Sequence, residues 1–283
     1  MSQGNESKTD KKNRSGSIVI RVLRVIAILV LLGIIIYESV MIYKDQKEYA
    51  IAVNEYEELR NDYITEKEDS IEDVVVKDEN GEVIGIYPKL DINFDALYEI
   101  NSDFIGWLYF PAVSKINYPV VKEQSIDQYL YKTFDGKYNK AGCIFMDVLS
   151  DENFCGYSDM VFGHNMKNNS MFGSLKSIYK SGGEDVIKDN PFVYIYTKDH
   201  IFKYRIIGYY RTKQGSYSYT EVTNEKEYDD YLKYIKQNSM YEMPSGLGFD
   251  EYPSLLTLST CSGQSGSGQR FVLHTVKVQT FDR

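Results

Sequence analysis

A cysteine and an arginine flank one short loop near the end of the chain, and their types could support nucleophilic chemistry. Cys261 closes the strand-like run SLLTLSTC, a Gly/Ser/Gln-rich loop follows, and Arg270 opens the next strand-like run. A hairpin between the two runs would bring Arg270 close to Cys261. A thiolate is an effective nucleophile, and guanidinium donors can hold a developing oxyanion. The spacing therefore favours covalent catalysis by a thiol.

The side chain of Cys261 needs an open face for such chemistry. Alternation along the run puts Ser259 and Cys261 on one face and Leu256 and Leu258 on the other. We expect the two leucines to face the core, which leaves Ser259 and Cys261 on the outer side or in a groove. The alternative is a buried structural thiol, the usual fate of a free cysteine.

The acid or base must come from one of three histidines. His164 follows a strand-like run and a glycine, a position typical of catalytic residues. His274 lies on the same strand and face as Arg270, where it is either a groove residue or a plain surface residue. His200 lies in a predicted hairpin turn and is expected at the surface. The residues alone leave His164 and His274 open.

Charge and cysteine content exclude several function classes. The 283 residues carry a net charge of -9, which argues against nucleic-acid binding. The three cysteines form no disulfide framework; at most one pair could bridge, most naturally Cys143 with Cys155, and the sequence leaves that bridge open. No CxxC pair or clustered His/Cys spacing indicates a metal site, so no metal is expected.

The N-terminal segment predicts a membrane anchor. Residues 18–43 are mainly apolar and long enough to cross a bilayer. Six basic residues precede position 25, whereas residues 44–73 hold eleven acidic and four basic residues. The positive-inside rule then predicts a cytoplasmic leader at 1–17 and everything after the span outside the cell, with membrane lipid contacting 18–43. A cleaved signal peptide is the alternative, although no A-x-A-like site follows.

The segment at 44–92 is predicted to be an extracellular stalk or linker. Residues 44–70 contain helix formers without Gly or Pro, and Tyr49, Val53 and Tyr56 have helical spacing. A helix packed on the following domain is an equally acceptable interpretation. The sequence DENGEV at 78–83 predicts a turn between two short strands.

The remainder reads as many short strands, which predicts a mainly β sandwich or closed barrel. A helix is expected at 93–101 and a second at 224–239. Asn224 and Glu227 resemble a capping box at the start of the second helix. Its apolar stripe comprises Tyr228, Tyr231, Leu232 and Ile235.

Taken together, these stretches resemble the sortases, membrane-anchored cysteine transpeptidases of Gram-positive bacteria. TLSTC at Cys261 with Arg270 downstream resembles the family's Cys/Arg signature, and FGHNM around His164 resembles its histidine motif. Further stretches resemble class B in particular: DALYEINSDFIGWLYFP at 95–111, INYPVV at 116–121 and YLYKTFDGKYNKAGCIFMD at 129–147. The resemblance covers about residues 93–280.

The resemblance implies an eight-stranded sortase β-barrel at 93–283 that needs no cofactor. It implies that Cys261 attacks the carbonyl of a threonine in a C-terminal sorting signal and forms a thioacyl enzyme. His164 would act as general acid and base, and Arg270 would hold the oxyanion or orient the peptide. The acceptor amine would belong to a peptidoglycan peptide or a pilin lysine.

Ser259, Leu130 and Thr260 are the expected peptide-binding residues. Ser259 shares the presumed groove face of Cys261, and Leu130 is similar to a groove-lining position of class B enzymes. The segment SYSYTEV at 216–222 is expected to form a wall of the groove. Class B resemblance suggests an N-P-x-T-x or related signal, and the sequence does not choose between wall anchoring and pilus polymerisation.

Two departures and two rival functions remain. The loop after Cys261 carries no acid, which disfavours an Asp-assisted triad there, and the family pattern gives no role to His274. A papain-like cysteine peptidase would have its cysteine before its histidine, whereas His164 precedes Cys261. A non-catalytic stalked adhesin would explain the anchor and the tyrosines but not the Cys/His/Arg set.

Overall fold

The structure is a computed structural model that describes residues 6–64, 71–180, 182–263 and 266–283, with side chains from residue 20 onward. The leader predicted at 1–17 therefore lies outside the described side chains. Residues 65–70 of the predicted stalk and 264–265 of the loop after Cys261 also lie outside the described residues. The chain divides into two compact units, Met1–Ala50 and Ile51–Arg283.

The first helix, α1, runs from Glu6 to Tyr63. Within the described part of the chain, it is the one helix long and apolar enough to cross a membrane. Large apolar side chains such as Leu31, Ile35 and Ile36 are more than half exposed along it, as a lipid-facing surface would require. A signal sequence would meet the same criterion, so the anchor at 18–43 stays a prediction.

Eight strands close into a barrel, which confirms the predicted fold. The strands, numbered after a preceding hairpin, are β3 (Phe104–Tyr109), β4 (Asn117–Lys122), β5 (Ile144–Met146), β6 (Ser158–Phe162), β7 (Phe192–Tyr196), β8 (His200–Lys213), β9 (Leu255–Cys261) and β10 (Gln269–Asp282). The order of the strands around the barrel is β10-β8-β7-β3-β4-β5-β6-β9. Two pairs, β4 with β5 and β6 with β9, are parallel, and the other neighbours are antiparallel.

Both predicted helices of the barrel domain are present. The four further helices are α2 (Phe94–Ile100), α3 (Lys176–Tyr179), α4 (Gly183–Ile187) and α5 (Glu225–Asn238). The capping interaction at α5 is reciprocal: Asn224 Oδ1 accepts from the Glu227 amide at 3.0 Å, and Glu227 Oε2 accepts from the Thr223 amide at 2.9 Å. The apolar stripe of α5 packs on Leu255 and Val276 of the barrel wall.

The end of α1 and the hairpin after it both contact the barrel. Tyr56 is buried; its hydroxyl donates to the Gly142 carbonyl at 2.8 Å and its ring packs edge-on against Tyr118. The two-stranded hairpin comprises β1 (Asp73–Lys77) and β2 (Val83–Pro88), with the predicted turn between its strands. The compact unit that includes the barrel begins at Ile51, and the end of α1 contributes buried side chains to it.

Two sequence expectations differ from the structure. His274 is completely buried rather than at a surface or groove, because α5 covers its strand there. Thr257 and Tyr210 hydrogen-bond its two ring nitrogens at 2.8 and 3.0 Å, and burial lowers its pKa to about 3. Cys143 and Cys155 do not bridge, since Cys143 is buried and Cys155 lies at the surface.

Truncating the centre of the α5 contact tests the fold. We expect Ile235→Ala to lower the free energy of unfolding by about 2–5 kcal/mol, since Ile235 is fully buried against Leu255 and Val276. The neighbouring Lys236→Ala is the control. Thermal melts of the full chain in detergent compare the two, and equal melting temperatures would contradict the packing of α5.

Candidate active site

The parallel pairing of β6 and β9 joins the segments that carry His164 and Cys261. The Gly163 amide donates to the Ser259 carbonyl at 3.2 Å, and Thr260 Oγ1 donates to the Gly163 carbonyl at 2.7 Å. Just beyond the strands, Asn165 Nδ2 donates to the Cys261 carbonyl at 2.6 Å. Because parallel strands end at the same edge of a sheet, residues 97 positions apart in sequence lie at one rim of the barrel.

Cys261 and Arg270 lie directly opposite each other. They are register partners in the antiparallel β9–β10 pair, as the hairpin expectation required. Cys261 is exposed, whereas the six preceding residues of β9 are buried. Arg270 is half-buried, and its Nη2 donates to Gln214 Oε1 at 2.9 Å. The guanidinium is therefore held beside the thiol by the loop after β8.

His164 is oriented by a backbone carbonyl. Its Nε2 donates to the Leu130 carbonyl at 2.7 Å, and its ring stacks on Tyr131 with 5.8 Å between centroids. A carbonyl oxygen only accepts, so Nε2 carries the hydrogen and a neutral ring has its lone pair on Nδ1. Burial lowers the pKa of His164 from its ordinary 6.5; the bond to Leu130 opposes this shift, and the charge of Arg270 adds to it.

One cleft of about 510 Å³ joins all of these groups. Cys261, His164 and Arg270 line it together with Ser259, Thr260 and Leu130. Its walls include the apolar side chains of Phe145 and Phe162 and the ring of Tyr219. A largely apolar cleft with a thiol, an imidazole and a guanidinium suits an extended peptide whose carbonyl reaches the sulfur.

No family model matches the chain. The sortase B of Listeria monocytogenes is 30% identical over 166 residues, which span 58% of this chain and 65% of that protein's length. A Bacillus anthracis sortase B structure in complex with AAEK1 superposes with a TM-score of 0.62 at 25% identity, covering 82% of this chain and 99% of that one. A Staphylococcus aureus sortase B–substrate complex gives a TM-score of 0.57 at 25% identity, covering 66% and 85%.

These curated and structural neighbours support a class B sortase. The family resemblance stated from the Cys, His and Arg motifs is thereby confirmed, as is the eight-stranded barrel. The roles of individual side chains in this chain stay predictions.

The three expected peptide-binding residues differ in their surroundings. The side chain of Ser259 is fully buried, and its hydroxyl shares a 2.9 Å hydrogen bond with Tyr219. Thr260 is also buried, and its hydroxyl is engaged by the Gly163 carbonyl. Leu130 is half-buried and contributes its carbonyl to His164. Ser259 therefore is not freely exposed in the groove, because the turn at Tyr217–Tyr219 covers it.

Sequence reasoning anticipated one part of the site and missed others. Tyr219 lines the cleft and lies within the segment expected to form a wall, and its ring stacks parallel to Phe162. Asn165, which donates to the Cys261 carbonyl, was missed although it directly follows His164. Glu123, Asp127 and Asp147 also line the cleft, and their clustering depends on β4, β5 and the loops after them. Among the described residues, no group of three His, Cys, Asp or Glu side chains could hold a metal ion.

Glu123 carries a buried carboxyl group. It is 3% exposed, and its Oε1 accepts from the Tyr129 amide at 3.1 Å. Burial raises its pKa from 4.5 to about 7; the Tyr129 hydrogen bond opposes this shift, and the charges of Asp127 and Asp147 add to it. The cleft therefore carries titratable carboxylate groups as well as the cation Arg270.

The raised pKa of Glu123 predicts a pH-dependent stability effect. Between pH 4.5 and about 7 the folded state keeps a proton that the unfolded chain releases, so this group's contribution to stability falls as pH rises through that window. Glu123→Gln removes the effect while its amide oxygen can still accept from Tyr129. The melting temperature of the variant relative to wild type should therefore be higher at pH 8 than at pH 5.

The exposed Glu251→Gln is the matched control and should show no such difference between the two pH values. A relative melting temperature for Glu123→Gln that is equal at both pH values, or lower at pH 8, would contradict the assignment.

Proposed function

We propose that this chain is a sortase-type cysteine transpeptidase that cleaves a sorting signal after a threonine and transfers the new carboxyl group to an amine. The observation that carries the proposal is the meeting of Cys261, His164 and Arg270 in one open cleft at the rim of a sortase barrel. Similarity to class B sortases in sequence and in fold supports the same reaction class.

The proposed first step forms a thioester on Cys261. As its sulfur attacks the threonine carbonyl, the thiol proton passes to Nδ1 of neutral His164, and the carbonyl oxygen gains negative charge. Donors of Arg270 that remain beyond its bond to Gln214 stabilise that oxygen. The C–N bond then breaks, and His164 returns the proton to the leaving amine.

The proposed second step reverses the roles. An incoming amine attacks the thioester carbonyl, His164 Nδ1 accepts the proton from the amine, and the C–S bond breaks as the proton returns to sulfur. Peptide and amine must therefore both reach the exposed sulfur of Cys261. The S. aureus sortase B–substrate complex supports substrate binding by this fold. We propose an N-P-x-T-x-type signal here, with a wall peptide or pilin lysine as acceptor.

The proposed setting is the outer face of a Gram-positive cell membrane. Residues 18–43 would span the lipid, with the leader at 1–17 in the cytoplasm and the barrel outside. The long apolar helix supports an anchor. Protease accessibility of the barrel in intact cells, with no cleavage of the leader, tests this orientation.

Loss of the thiol tests the reaction itself. With a quenched N-P-x-T-x peptide and triglycine, Cys261→Ala should lower turnover at least about 10³-fold, because no covalent intermediate can form. Cys155→Ala removes the other exposed cysteine and should leave the rate unchanged. Cleavage that is indifferent to triglycine would favour a peptidase, and thiol-independent turnover or none at all would contradict the transpeptidase.

The geometry of Arg270 gives a separate prediction. Arg270→Lys keeps the charge but loses the planar fork of donors, so kcat should fall roughly 10²–10³-fold with little change in KM. Arg211→Lys, at an exposed arginine on β8 outside the cleft, is the matched control. Initial rates on the quenched peptide measure both variants, and an unchanged kcat for Arg270→Lys would rule out the oxyanion role.

A further inference from the structure

A second pocket of about 430 Å³ lies outside the cleft and is lined by cationic and hydroxyl side chains. Lys115, Lys176 and Lys180 line it, with Ser174 and Asn169 beside them. None of the described residues that line this pocket is acidic. The chain has a net charge of -9, so three lysines around one pocket without a carboxylate form a positively charged patch on an acidic protein.

The lysines of this pocket lack counter-charges in the described structure. The ion pairs between described residues do not include Lys115, Lys176 or Lys180. Lys176 makes one long hydrogen bond, 3.5 Å, to the Met166 carbonyl, which leaves its other donors available. Burial and then the charge of Lys180 lower the pKa of Lys176, as expected where two ammonium groups repel without an acid between them.

Ser174 gives an independent sign of a missing partner. It is 7% exposed, and its hydroxyl has no hydrogen-bond partner among the described residues. Its neighbour Ser177 is engaged, since Ser177 Oγ donates to the Ser174 carbonyl at 2.8 Å. A buried hydroxyl without a partner costs free energy, so a ligand oxygen that accepts from Ser174 would remove that cost.

We propose that this pocket binds a phosphate group, as inorganic phosphate, pyrophosphate or a phosphate ester. Three lysines that line one pocket with Ser174 and Asn169 suit a compact anion with several oxygens. Lysine binds such an anion as a point charge, whereas a planar carboxylate is better matched by the fork of arginine. A soluble phosphate and a lipid headgroup share this chemistry. The proposal does not depend on the transpeptidase reaction.

The pocket is built on the segment that follows His164. The His164 carbonyl accepts from the Phe172 amide at 3.0 Å, and Asn165 pairs with Met171, so residues 164–172 fold back on themselves. Asn169 lies in this fold, and Ser174 lies in the 3-10 turn Phe172–Leu175 that leads into α3. A phosphate ligand would therefore be held next to the loop that carries His164.

Lysine footprinting of the full chain in neutral detergent tests the proposal. Limited acetylation, read by mass spectrometry at each lysine, is measured with and without pyrophosphate at constant ionic strength. Slower labelling of Lys115, Lys176 and Lys180, with unchanged labelling of exposed Lys188, supports the site. Equal rates both at saturating pyrophosphate and in micelles doped with phosphatidylglycerol, or equal protection by chloride, would overturn it.

Variants of the pocket lysine and serine, and a second set of samples in lipid-doped micelles, complete the experiment. Lys176→Gln should weaken pyrophosphate binding about tenfold or more, because it removes a charged donor, and Lys188→Gln should not. Ser174→Ala should weaken binding without lowering the melting temperature; unchanged affinity in both pocket variants would overturn the proposal. Protection by pyrophosphate indicates a soluble phosphate, and protection only in micelles doped with phosphatidylglycerol indicates a lipid headgroup.

Discussion

The parallel pairing of β6 with β9 is the constraint on which the candidate active site depends. Two strands that run the same way end at the same rim, so the residues just after them become neighbours however far apart they are in sequence. Here the bonds from Thr260 to Gly163 and from Asn165 to Cys261 tie those strand ends together. The antiparallel β10 then adds Arg270 from the opposite direction.

Coverage of the barrel decides which residues can react. The middle of the wall formed by β9 and β10 is covered by α5 and by the turn at Tyr217–Tyr219, and β9 is exposed at its last residue. The exposed side chain at that end is Cys261. His274, on the covered part, is held neutral in a network with Thr257 and Tyr210. The packing of α5 and of the Tyr217–Tyr219 turn on β9 and β10 thus stabilises the barrel and leaves Cys261 exposed at the cleft.

Much of this arrangement could be predicted from short-range patterns. Strand runs, the Asn224 cap and the stripe of α5 follow from local periodicity and capping chemistry, and the Cys, His and Arg motifs identified the family. Burial of Ser259 and His274 could not be predicted, because alternation along a strand does not show which distant element covers its outer face. Glu123 was missed for a related reason, since its apolar surround comes from elements far apart in sequence.

The local electrostatics follow the same logic. His164 is neutral because it is buried and lies near Arg270, and its bond to Leu130 assigns the hydrogen to Nε2. The ring is therefore set to accept a proton at Nδ1 before any peptide arrives. We propose that the barrel positions the His164 imidazole as a base and the Arg270 guanidinium as a cation, and that it leaves the Cys261 thiol accessible to the peptide.

Mapping the covalent intermediate tests the central claim most directly. The full chain is mixed with an N-P-x-T-x peptide in the absence of added amine, quenched in acid and digested for mass spectrometry. The account predicts one adduct, a thioester between Cys261 and the peptide fragment that ends in threonine, which disappears when an amine is added. An adduct on Cys155 or Cys143, or release of the fragment with no adduct in wild type, would contradict it.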